Sequence, residues 1–124
     1  MDIDLGSLYA AARSRITDLV MSSPPDVGDL EVPGTPGWTV HDVVGHLRGI
    51  VADGLAGNMA GAPGEAWTAA QIERARGLSV TTLLQEWGDQ APSFERFLSS
   101  PTGPMAQAAV MDVHIQCFEA AADA

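Results

Sequence analysis

"TPGWTVHDVVGHL", residues 35–47, is the stretch from which the fold can be read. Thr39 is a good helix N-cap, and Asp42 three residues later completes a capping pattern in which each side chain serves the other's backbone N–H. Pro36-Gly37 supplies the turn that delivers the chain to this cap. Trp38 before the cap and Val43 at the fourth helical position are spaced for a hydrophobic staple. Beyond the cap, Val40, Val43, Val44, Leu47, Ile50, Val51 and Leu55 recur at helical spacing as a broad apolar stripe. The spacing predicts a helix from Thr39 to about Asn58.

Three further segments carry the same period. Leu5 to Met21 repeats apolar residues at Leu5, Leu8, Tyr9, Ala12, Ile16, Leu19 and Val20. "SSPPDVGDLEVPGTPG" then breaks the pattern and reads as a long crossover between helices. After "GNMAGAPGE", a short helix is predicted from Thr68 to Arg76 and closed by Gly77. Ser79 caps another long helix through Leu98, with Leu83, Leu84, Trp87, Phe94 and Phe97 facing inward. Pro92 within it removes a backbone donor and should kink it. The last segment, Pro104 to Ala122, is apolar on nearly all faces, as a well-covered helix would be. The sum is an all-α four-helix bundle with a long first crossover near residues 22–38 and a short extra helix, one domain over residues 1–124.

Composition narrows the functional classes. The 124 residues suffice for one real core, and Ala, Leu, Val and Met dominate its apolar content, favouring helices over strands. Six basic residues against sixteen acidic ones give a formal charge of −10, a surface that repels phosphate backbones and argues against nucleic-acid binding. No apolar run reaches the length of a membrane span, and the N-terminus lacks a basic signal-peptide start. A cytoplasmic protein without membrane partners is the expectation. The single Cys117 permits neither an intramolecular disulfide nor a cysteine-rich zinc cluster, and reads as a small buried thiol.

Polar residues on the predicted helices are few enough to weigh singly. Residues 42, 46, 50 and 53 share one angular position, so His46 lies beside Ile50 and Asp53 at the edge of the core. His41 points elsewhere, towards Arg48 and solvent. In "AAVMDVHIQCFEAA", Asp112, Gln116 and Glu119 share a face at i, i+4 and i+7, while His114 projects to the opposite side. A carboxylate buried in so apolar a helix needs a partner. One helix offering His46 and a facing helix offering an i, i+4 polar pair is how bundles build metal sites. A single boundary histidine in a bundle is more often a hydrogen-bonded core residue than a ligand.

"TPGWTVHDVVGHLRGI" resembles the second-helix signature of the mycothiol-dependent maleylpyruvate isomerase N-terminal domain, part of the DinB-like superfamily. "AWTAAQIERARGLSVTTLLQEW" is similar to the middle of that domain and "AAVMDVHIQCFEAAADA" to its last helix, so the resemblance covers about residues 30–124. It implies an up-down-down-up bundle holding a divalent metal, zinc or nickel, near one end. The family's ligands are a histidine on the second helix and an acidic or histidine residue followed four positions later by histidine on the last. His46 matches the first and Asp112 the second; the third falls on Gln116, where the family has histidine. Shifting the frame to use His114 would put Val110 at the acidic position. Longer family members continue into a C-terminal domain that contributes to thiol and substrate binding.

Two readings follow. In one, an enzyme or enzyme remnant holds a divalent ion through His46, Asp112 and Gln116, and the ion activates a low-molecular-weight thiol such as mycothiol for attack on a small electrophile, in an isomerase or transferase. In the other, a metal-free bundle binds a small ligand between the second and last helices or forms a homodimer through its alanine-rich last helix.

Overall fold

The computed structural model describes residues 4–100. They form four helices, α1 (Leu5–Met21), α2 (Val40–Ala56), α3 (Glu65–Ala75) and α4 (Val80–Ser99), with a 3-10 turn at Val27–Asp29 in the first crossover. Among the described residues there is no strand, and an isolated bridge joins Glu31 to Thr39. None of these helices is long and apolar enough to cross a membrane. The predicted last segment, Pro104 to Ala122, with Cys117 in it, lies outside the described residues.

α4 is the central element: α1 packs on it, α2 packs on it, and α3 packs on α2. Its Leu83, Leu84, Trp87, Ala91, Phe94 and Leu98 are buried on one stripe. Trp87 Nε1 donates to the Tyr9 hydroxyl at 2.9 Å, and the Tyr9 ring stands edge-on to both Trp87 and Phe94. Burying side chains of this size stabilises by about 1.5–3 kcal/mol each, which makes this the strongest tie between α1 and α4. Arg13–Glu95 and Arg48–Glu86 ion pairs, at 3.1 and 2.7 Å, fasten α1 and α2 respectively to the same helix. The α1–α4 crossing is tightest at Gly6, where a Cβ would run into the Glu95 carbonyl oxygen and Ser99 Oγ.

The capped entrance is built as the sequence specifies. Thr39 Oγ1 accepts from the Asp42 N–H at 3.2 Å and Asp42 Oδ2 accepts from the Thr39 N–H at 3.0 Å. The Trp38 N–H donates to the Thr35 carbonyl at 3.0 Å across Pro36-Gly37, and Gly37 has φ +87°. That is a type II turn, with proline and a left-handed glycine where each is needed. Two bonds, Val32 N–H to the Trp38 carbonyl (2.8 Å) and Val40 N–H to the Leu30 carbonyl (2.9 Å), then hold Trp38 against the incoming crossover.

Three expectations are revised. α3 starts at Glu65, three residues before Thr68, because Gly64 serves as the N-cap and its carbonyl accepts from the Thr68 N–H at 3.1 Å. The long helix predicted through Leu98 does continue through Pro92, whose side chain is exposed. Phe97 is 40 % exposed and Leu98 takes the inward position, since Phe97 sits roughly 90° around the helix from the Leu83–Trp87–Phe94–Leu98 stripe. Leu8, Leu19 and Leu55 are likewise exposed. α1 instead meets α4 along Gly6, Tyr9, Arg13 and Val20, spaced i, i+3, i+7 and i+14.

Candidate functional site

The interior between α2 and α3 is polar at one place. His46 and Asp53 on α2 and Gln71 on α3 are 2, 5 and 0 % exposed, in a core otherwise made of apolar side chains. They reach one another because α2 carries glycine where α3 crosses it. A Cβ on Gly45 would stand 2.7 Å from the Ala75 Cβ, and one on Gly49 would stand 2.6 Å from the Gln71 Cβ. Both separations are far inside the optimum for carbon–carbon contact of about 3.5–4.0 Å, so only glycine permits this approach. Trp67, Gln71 and Ala75 form the buried face of α3 at i, i+4 and i+8.

A chain of hydrogen bonds runs through the three residues. His46 Nδ1 lies 2.6 Å from Gln71 Oε1. Gln71 Nε2 donates to Asp53 Oδ2 at 2.9 Å. Arg74 Nη2 sits 2.9 Å from both Asp53 oxygens, and Asn58 Nδ2 donates to Oδ1 at 3.2 Å. A buried carboxylate is thus compensated by one cation and two amides, as its burial requires. Burial lowers the His46 pKa below the ordinary 6.5, against the smaller opposing effect of the Gln71 bond, so the imidazole is neutral at pH 7. Trp38, delivered by the type II turn, packs edge to face on His46 with ring centroids 5.6 Å apart. The same indole lines a surface cleft of about 340 Å³ with Pro63, Glu65, Thr68, Ala69 and Ile72.

The other sequence-predicted residues fare unequally. His46 is deeper than the core edge expected of it, because α3 and Trp38 close over it. His41 does not face solvent as expected. It is half-buried, its Nε2 donates to the Leu78 carbonyl at 2.6 Å, and Arg48 pairs with Glu86 instead. Asp112, Gln116 and His114 lie outside the described residues. Among the described residues, no group of three or more His, Cys, Asp or Glu side chains could hold a metal ion. Gln71 is the residue that sequence reasoning passed over. Its signal was a polar side chain on the Trp67–Ala75 stripe, facing two glycines on α2.

Comparison with curated proteins and with solved structures finds no match. The sequence model described as Mycothiol maleylpyruvate isomerase N-terminal domain matches residues 9–118, nearly the whole chain. The helical order, the capped second helix and its buried histidine agree with a DinB-like bundle. On that match the chain belongs to the mycothiol maleylpyruvate isomerase N-terminal domain family.

Proposed function

We propose that this chain is a divalent-metal-binding bundle that serves thiol-dependent chemistry of the isomerase or transferase kind. The observation that carries the reading is His46: a neutral imidazole, buried, and held on one nitrogen by a polar chain that fixes its ring. A neutral imidazole nitrogen is a good ligand for zinc or nickel. Asp53, although close by, is not a spare ligand, because both its oxygens are already engaged by Gln71, Arg74 and Asn58. The remaining donors would be Asp112 and Gln116, as the family pattern implies, with Gln116 acting through its amide oxygen. A bound divalent ion supplies Lewis acidity that lowers the pKa of a small thiol such as mycothiol. His46 would anchor one side of the site and Trp38 would shield it from water.

Zinc titration of tag-free protein by calorimetry tests this. Wild type should bind, His46→Ala should not, and Gln116→His should bind more tightly through a second imidazole. His114→Ala should leave binding unchanged. Binding that survives His46→Ala in a protein still helical by circular dichroism would refute the reading.

A second reading rests on Gln116 itself. An amide is a poor transition-metal ligand, and its presence where the family has histidine favours a metal-free bundle that binds a small ligand or self-associates. The cleft beside Trp38 offers such a ligand a place. Absence of zinc binding in wild type, restored by Gln116→His, would decide for it.

A further inference from the structure

We infer that Gln71 and Asp53 are positioning residues that fix the tautomer of His46, placing its proton on Nδ1 and leaving Nε2 as the nitrogen that can accept a metal. The inference deepens the proposed metal role and rests on it for its functional meaning, but its structural content stands on the hydrogen bonds alone.

The argument begins at Asp53. A carboxylate only accepts, and its Oδ2 faces the Gln71 side-chain amide at 2.9 Å. The group turned towards it must therefore be the amide NH₂. Arg74 and Asn58 hold the carboxylate in place from its other sides, so it cannot rotate away to relax that demand. With the nitrogen committed to Asp53, the amide oxygen is left facing His46 Nδ1 at 2.6 Å. An amide oxygen also only accepts, so Nδ1 must carry the hydrogen. On a neutral imidazole the lone pair then resides on Nε2. A flipped amide would set oxygen against carboxylate at 2.9 Å, replacing a charge-assisted bond by a repulsion. Gln71 is fully buried, with the root of its side chain packed against Gly49.

Carboxylate, amide and imidazole thus form a relay in which a residue that does not touch His46 dictates which of its nitrogens is available. Metal-bound histidines characteristically donate their second nitrogen to a carboxylate or carbonyl, and losing that partner typically weakens metal binding about 10–100-fold. Here the partner is an amide whose direction the Asp53 carboxylate sets.

The test reads the tautomer directly, in the metal-free protein at neutral pH. Long-range proton–nitrogen correlation spectra of ¹⁵N-histidine-labelled protein separate the two neutral forms, and the His46 signals are identified by their loss in His46→Asn. Wild type should show His46 protonated at Nδ1. Asp53→Asn, of the same shape, lets residue 53 donate to the Gln71 oxygen and frees the amide to turn. The His46 signals should then move towards the Nε2-protonated form that free histidine prefers. Zinc affinity of Asp53→Asn should fall about 10–100-fold. Wild-type His46 protonated at Nε2 would overturn the inference without any variant, even if zinc binds through His46. An Nδ1-protonated His46 that Asp53→Asn leaves unmoved would also overturn it. The predicted tautomers in a protein that takes up no zinc would uphold the relay while the metal reading fell.

Discussion

Replacing Gly49 by alanine tests whether the close approach of α3 to α2 holds the polar chain together. In an ordinary helix interior the change stabilises by about 0.8–1.0 kcal/mol, through the lower helix propensity of glycine. At Gly49 the new methyl would stand 2.6 Å from the Gln71 Cβ and 2.7 Å from its Cγ, atoms near the root of a fully buried side chain. The helices must part by several tenths of an ångström or more, and overpacking of this kind costs about 1–3 kcal/mol. Steric cost outweighs propensity, giving a net loss of up to about 2 kcal/mol. Gly88 on α4 is the internal control: a Cβ there meets nothing nearer than Arg13 Nη1 at 3.9 Å. Gly88→Ala should therefore gain about 0.5–1 kcal/mol. Urea denaturation followed by circular dichroism compares the two. The variants should move the midpoint in opposite directions with unchanged slope. Equal stabilisation by both would refute the account of the α2–α3 contact and of the site built on it.

Thr39→Ala, which removes one half of the observed capping box, should lower stability by about 0.5–2 kcal/mol in the same assay; an unshifted midpoint would contradict the capped entrance. Tyr9→Phe leaves the buried Trp87 Nε1 donor without its acceptor and should cost about 1–3 kcal/mol, where loss of an exposed hydroxyl would cost nearly nothing. Acid should destabilise the metal-free protein through His46. An unfolded histidine takes its proton near pH 6.5, whereas burial holds the folded pKa lower, so this contribution to stability is lost as pH falls from about 6.5 towards that lower value. The slope is at most about 1.4 kcal/mol per pH unit, and His46→Gln should lack it. Parallel pH profiles for wild type and variant would show that His46 is not held neutral by the fold.

The features legible in the sequence are those settled within one turn of chain. Thr39 and Asp42 cap the second helix because both partners lie three residues apart, and α1 keeps its predicted bounds because Asp4 and a helical run of apolar residues define them locally. What escaped depends on which helix lies opposite. Phe97 and Leu98 are adjacent and both apolar, so only the direction of α1 and α2 around α4 decides that Leu98 is buried. The same holds at the site. His46 and Asp53 were recognisable as sharing a face, but their linkage passes through Gln71, 18 positions along the chain from Asp53 and on another helix. Gly45 and Gly49 look like weak points in a helix until α3 is seen to need them. The family signature placed His46 correctly on the second helix, whereas its depth came from α3 and Trp38 closing over it.

The central claim is that His46 is held ready for a metal ion, and the metal content of the protein as it is purified tests it most directly. Untagged wild-type protein, prepared without chelator and analysed by inductively coupled plasma mass spectrometry, should carry zinc or nickel at close to one ion per chain. His46→Ala prepared in parallel should carry almost none. Equal metal in both, or none in wild type, would contradict the claim.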